Sequence, residues 1–141
     1  MEVEVNYWAV LLGGLSSMVV GSIWYLPRLF GNAWAKMAKV NLKKKITTSE
    51  SVMVFGSTFI ASLVTAYVLA HVTFLSHYFF SHSYLEDALN TGFWLWLGLT
   101  AARFLVHDLF EGRRKKLTLI NTGHEFFTIM IMALIIGWMG V

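Results

Sequence analysis

Apolar positions along this chain fall into four long runs, separated by short polar stretches, at about 7–30, 52–75, 88–111 and 117–140. About 20 apolar residues are enough for a helix to cross a bilayer, and each run reaches that length. The pattern predicts an all-α fold, a four-transmembrane-helix bundle forming a single integral-membrane domain over 1–141. Helix starts are signalled by Thr47 with Glu50 and by Ser83 with Glu86, both at capping-box spacing. Pro27, after Trp24 and Tyr25, is expected to kink or end the first helix near an interface. The connection from Gly112 to Lys116 is so short that the third and fourth helices must be antiparallel neighbours.

Composition agrees with a membrane chain. Of the 141 residues, 57% are hydrophobic and only 13% charged, where soluble domains carry about 25% charged residues. Cysteine is absent, which excludes disulfides, thiolate nucleophiles and Cys-ligated metals. The N-terminal MEVEVNYW is acidic and has no basic n-region, so the first run is expected to be retained as a span.

The net charge of +3 is a matter of topology rather than of nucleic-acid binding. Every Lys and Arg except Arg103 lies in or beside 31–51 and 112–116. By the positive-inside rule those two loops face the cytoplasm, and both termini are extracytoplasmic. In the first loop, Trp34, Met37 and Ala38 oppose lysines on a short segment that suits an amphipathic helix on the headgroups, or a solvated basic loop. Between the second and third runs, Tyr78, Phe79, Phe80 and Tyr84 read as an aromatic belt, with His71 interfacial.

Two further patterns concern packing. Gly13, Ser17 and Gly21 recur at i+4, a small-residue stripe that serves close packing inside the bundle or the seam of a homodimer. The segments 55–69 and 122–136 align without gaps, pairing Gly56 with Gly123 and Phe59 with Phe126. Such a duplication of helix pairs would have an axis along the membrane normal.

The combination of NYWAV (6–10), WYLPRLFGNAW (24–34), FWLWLG (93–98) and LFEGRRKKLTLINTG (109–123) resembles an uncharacterised membrane family, domain of unknown function 1761. The resemblance covers essentially the whole chain and implies a four-helix membrane protein without an assigned activity. That family commonly carries an aromatic residue after the Asn-x-Gly of the last span. Here His124 and Glu125 follow it.

Ionisable residues inside apolar runs mark candidate sites, because they are costly at membrane depth. Arg103, His107 and Glu111 share a helical face at i+4 spacing, with Asp108 about 100° away. Asn121, His124, Glu125 and Thr128 form a second polar stripe. Arg103 and Glu125 both fall about 13 Å from the cytoplasmic boundary, counting 1.5 Å per residue. The two stripes are therefore expected to meet, with Arg103 paired to Glu125. That cluster reads as a structural salt bridge. Read differently, it is a cytoplasm-facing cavity where Arg103 holds an anion and His107, His124 and Glu125 exchange protons, as in a proton-linked transporter or binding module. A third reading is a metal-dependent membrane enzyme using His107, Glu111, His124 and Glu125 as N/O ligands, though the Glu-x-x-His pattern of bundle di-metal sites is missing. No Ser-His-Asp constellation or phosphate-binding loop appears, and no cofactor is implied.

Overall fold

A computed structural model describes residues 3–42 and 44–140; Lys43 of the predicted basic loop lies outside them. Among the described residues the chain is all-helical, with no strand. Helix α1 is Tyr7–Trp24, α2 Asn32–Ala38, α3 Thr48–Phe80, α4 Tyr84–Leu95, α5 Ala102–Phe110 and α6 Lys115–Met139. Three of them, α1, α3 and α6, are long and apolar enough to cross a membrane.

Local chemistry sets the ends. Asn6 opens α1 by accepting hydrogen bonds from the Trp8 and Ala9 amides at 3.1 and 3.2 Å. The capping box at Thr47 and Glu50 forms in both directions. Ser83 accepts from the Glu86 amide at 3.2 Å, starting α4 four residues before the predicted third run. Pro27 ends α1 earlier than the apolar pattern suggests. A π turn over Pro27–Gly31 follows, with non-helical backbone at Leu29. Gly31 is required here: a Cβ would lie 2.1 Å from the Tyr25 carbonyl oxygen. At the other end of the bundle, Gly112 (φ 63°) turns α5 into α6 in the left-handed region that suits glycine.

The third apolar run is not one α-helix. A π turn over Trp96–Ala101 interrupts it, although Leu95 and Ala102 on either side keep right-handed helical backbone. The second run is also longer than its apolar core predicts. α3 has 33 residues, about 50 Å at 1.5 Å per residue, against a hydrocarbon core of about 30 Å.

α6 is the central element, carrying buried residues from Leu117 to Gly137. α1 and α4 each pack against both α3 and α6. The core is built from Ala9, Val10, Ala66, Leu69, Ala70, Ala88, Ile129, Met132, Ala133 and Ile136. Its many alanines let backbones approach closely, as in membrane helix interfaces. The first turns of α3 stand apart from it, with Val52, Met53, Val54 and Phe55 exposed.

The small-residue stripe is used within the chain. Gly13 and Ser17 are buried, a Cβ on Gly13 would touch Ala66 and Met132, and one on Gly21 would touch His124. Gly13 thus serves close packing of α1 on α3 and α6 within the chain. The aligned glycines also differ in surroundings: Gly123 meets the Trp24 indole, whereas Gly56 faces open space.

Candidate functional site

The predicted cluster divides into two. On one side of α6, the Trp24 indole donates to the Ile120 carbonyl at 3.2 Å, and the Tyr25 hydroxyl lies 3.4 Å from Asn121 Oδ1. His124 Nδ1 contacts Glu125 Oε1 at 3.1 Å, and its ring sits 5.1 Å from that of Tyr25. Trp34 of α2 closes over Tyr25 with ring centroids 5.2 Å apart. Asn121, His124 and Glu125 thus hold the α1–α2 linker against α6.

On the other side, Asp108 is the residue of α5 that faces α6. It is 3% exposed and accepts a 2.6 Å hydrogen bond from the Thr118 hydroxyl. Arg113 Nε lies 3.7 Å from its other oxygen and also pairs with Glu111. Arg103, His107 and Glu111 do share a face, as their spacing predicts, but that face is exposed. They line an open groove of about 360 Å³ with Leu99, Thr100 and Phe104.

The expected Arg103–Glu125 pair does not form. Glu125 takes His124 instead, and among the described residues Arg103 has no ion pair. The cause is the π turn. Gly92 faces Ile129 and Ala133 of α6, and Arg103 lies eleven residues on, about three α-helical turns, so an unbroken helix would aim it at α6 too. A π turn inserts one residue, rotating everything beyond it by roughly 100°. Asp108 turns inward and Arg103 turns out. The weak metal candidates separate likewise, His107 and Glu111 on the outer face of α5, His124 and Glu125 against α1. Among the described residues no three His, Asp or Glu side chains converge as ion ligands.

A third polar group, missed by the sequence reading, lies at the opposite end of the bundle. Asp87, in the first turn of α4, is 1% exposed. One of its oxygens faces His77 Nδ1 at 3.0 Å and the other faces His82 Nδ1 at 3.2 Å. A carboxylate only accepts, so each imidazole presents Nδ1–H to it, and a neutral ring keeps Nε2 as an acceptor. Phe80 stacks parallel to the His82 ring and Tyr84 meets His77 edge-on. Beside this group is a cavity of about 640 Å³ between α3 and α4. Ser76, His82, Asp87 and Asn90 line its polar part, and Leu75, Phe79 and Trp94 form apolar walls. The signal in the sequence was HYFFSHSYLED (77–87), which spaces His77, His82 and Asp87 five apart. It was hidden because three different segments supply them: the end of α3, the turn and the start of α4.

A family described as a protein of unknown function (DUF1761) matches residues 8–137. The chain belongs to this family. The match runs from α1 to the last turn of α6, so the DUF1761 region contains all three polar groups. No curated protein and no solved structure matches the chain.

Proposed function

We propose that this DUF1761 protein is a four-pass protein of the cell membrane that binds a small amphiphile in the cavity between α3 and α4. The observation that carries the reading is Asp87, buried at the edge of that cavity and holding two histidines in fixed orientation. A buried acid with both oxygens engaged is more elaborate than an aromatic belt requires. The cavity volume falls within the roughly 300–1,000 Å³ of ligand sites. Its apolar walls favour a hydrocarbon or aromatic body, while the His82 ring, which in its neutral form offers Nε2 as an acceptor, suits a hydroxyl or amine head. In this reading both termini and the α3–α4 turn are outside and the basic segments inside, with α4, the π turn and α5 together forming the fourth span. The His124–Glu125 and Asp108–Thr118 groups are structural, tying the linker and the cytoplasmic turn to α6. The placing of α1 and α4 alike between α3 and α6 supports the internal repeat.

The test is labelling of the purified protein with a photoreactive dodecanol bearing a diazirine. Label concentrated in residues 72–95, and lost on filling the cavity with Ser76→Trp, supports the site. Label spread evenly over the exposed helix faces and unchanged by Ser76→Trp overturns it.

A further inference from the structure

The outward face of α5 carries a cation, Arg103, that has no ion pair among the described residues although Asp108, Glu111 and Arg113 line the same groove. Every carboxylate near Arg103 is already engaged. Glu111 is held by Arg113, and Asp108 by Thr118 and Arg113. Glu125 lies across α6 with His124. Around the groove the surface is hydrocarbon-like, with Leu105, Leu109 and Phe110 exposed, Phe110 to 91%. A guanidinium without an ion pair in such a setting favours an anion from outside the chain.

We propose that the groove holding Arg103, between the apolar side chains of Leu99 and Phe104 and the end where Asp108 and Glu111 face Arg113, is a binding site for an anionic phospholipid of the cytoplasmic leaflet. The lipid phosphate takes the Arg103 guanidinium, and an acyl chain lies along Leu99 and Phe104. Three features favour lipid as the occupant. Arginine reaches the headgroup level by extending its stem along apolar surface. Its guanidinium matches phosphate oxygens with paired donors. The basic run Arg113 to Lys116 begins at the same end of the helix, and such clusters draw anionic lipids to the cytoplasmic surface. A second copy fits less well: side-by-side parallel helices would leave Arg103 and Glu111 of two protomers about 12 Å apart in depth. The proposal rests on the four-pass reading, which places α5 in the cytoplasmic leaflet, and is independent of the outer cavity.

The experiment is native mass spectrometry of the full-length protein, delipidated in detergent and titrated with phosphatidylglycerol or with phosphatidylcholine of the same acyl chains. Phosphatidylglycerol is expected to bind about tenfold more tightly. Arg103→Leu should remove that preference while leaving phosphatidylcholine binding unchanged, and Arg103→Lys should keep part of it. Excess inorganic phosphate should not displace the lipid. Equal binding of the two lipids by the natural protein, which needs no variant to fold, overturns the proposal. So does an Arg103→Leu protein with the preference intact, displacement by phosphate, or a dimer that dissociates on Arg103→Leu. Topology labelling of the same preparations separates a failure of the lipid site from a failure of the four-pass reading.

Discussion

At the scale of the residue, two threonine hydroxyls in the same bundle should behave in opposite ways. Thr118 gives its hydroxyl hydrogen to the buried Asp108 carboxylate. Thr118→Val keeps the shape but leaves that oxygen short of a donor, and should cost about 1–3 kcal/mol. Thr73 is fully buried, and among the described residues its hydroxyl has no partner. Thr73→Val removes a desolvated polar group and should be neutral or stabilising, by up to about 1 kcal/mol. Thermal unfolding of both variants in one detergent checks the pair, and a loss on Thr73→Val comparable to that on Thr118→Val would contradict the assignment. The sequence showed which residues were polar at depth but not which were partnered. Within α5 the i+4 rule correctly grouped Arg103, His107 and Glu111. It could not say which way the group faced, because that depends on backbone hydrogen bonding in Trp96–Ala101, where Gly98 is the single weak hint. Asp108, which the same spacing sets about 100° from that face, is the inward-facing acid.

At the scale of the element, glycine positions separate helix faces that touch from those that do not. A Cβ on Gly137 would lie 2.7 Å from the Leu85 Cα and 2.9 Å from the Ala88 Cβ. Neither backbone nor alanine can swing aside, so α4 must move off α6. Gly137→Ala should therefore destabilise by about 1–3 kcal/mol, as overpacking does. On α3, a Cβ on Gly56 meets nothing within 4 Å, and Gly56→Ala should be neutral or gain up to about 1 kcal/mol from helix propensity. Comparing the two unfolding midpoints tests whether α4 is docked on α6 and the start of α3 is not. Equal effects would mean that one of these faces is misassigned. The three long apolar helices α1, α3 and α6 were legible from hydropathy alone, and the capping box at Thr47 fixed one start to the residue. The breaks were less so. Pro27 announced the end of α1, whereas Gly98 alone in WLGLTA gave only a weak hint of the π turn.

At the scale of the whole molecule, the question is whether the helical run from Tyr84 to Phe110 crosses the membrane. Only α1, α3 and α6 meet the length and hydropathy of a span as continuous α-helices. Yet Tyr84 to Phe110 would reach about 40 Å at 1.5 Å per residue, enough for a hydrocarbon core of about 30 Å. The charge pattern is what favours the proposed crossing. With three spans, the basic run Arg113 to Lys116 would lie on the same side as the α3–α4 turn, which has no Lys or Arg, and opposite the lysines of 36–45, against the positive-inside rule. With four, both basic segments share one side. Because the chain has no cysteine, single substitutions can report this directly. Glu4→Cys and Tyr78→Cys should react with a membrane-impermeant maleimide in intact cells. Lys44→Cys and Lys116→Cys should react only after permeabilisation. Lys116→Cys is the deciding position: labelling it from outside, with Lys44→Cys still protected, would mean that α4 and α5 turn back without crossing. Arg103 would then lie at the outer surface, and the anion that neutralises it would come from the other leaflet.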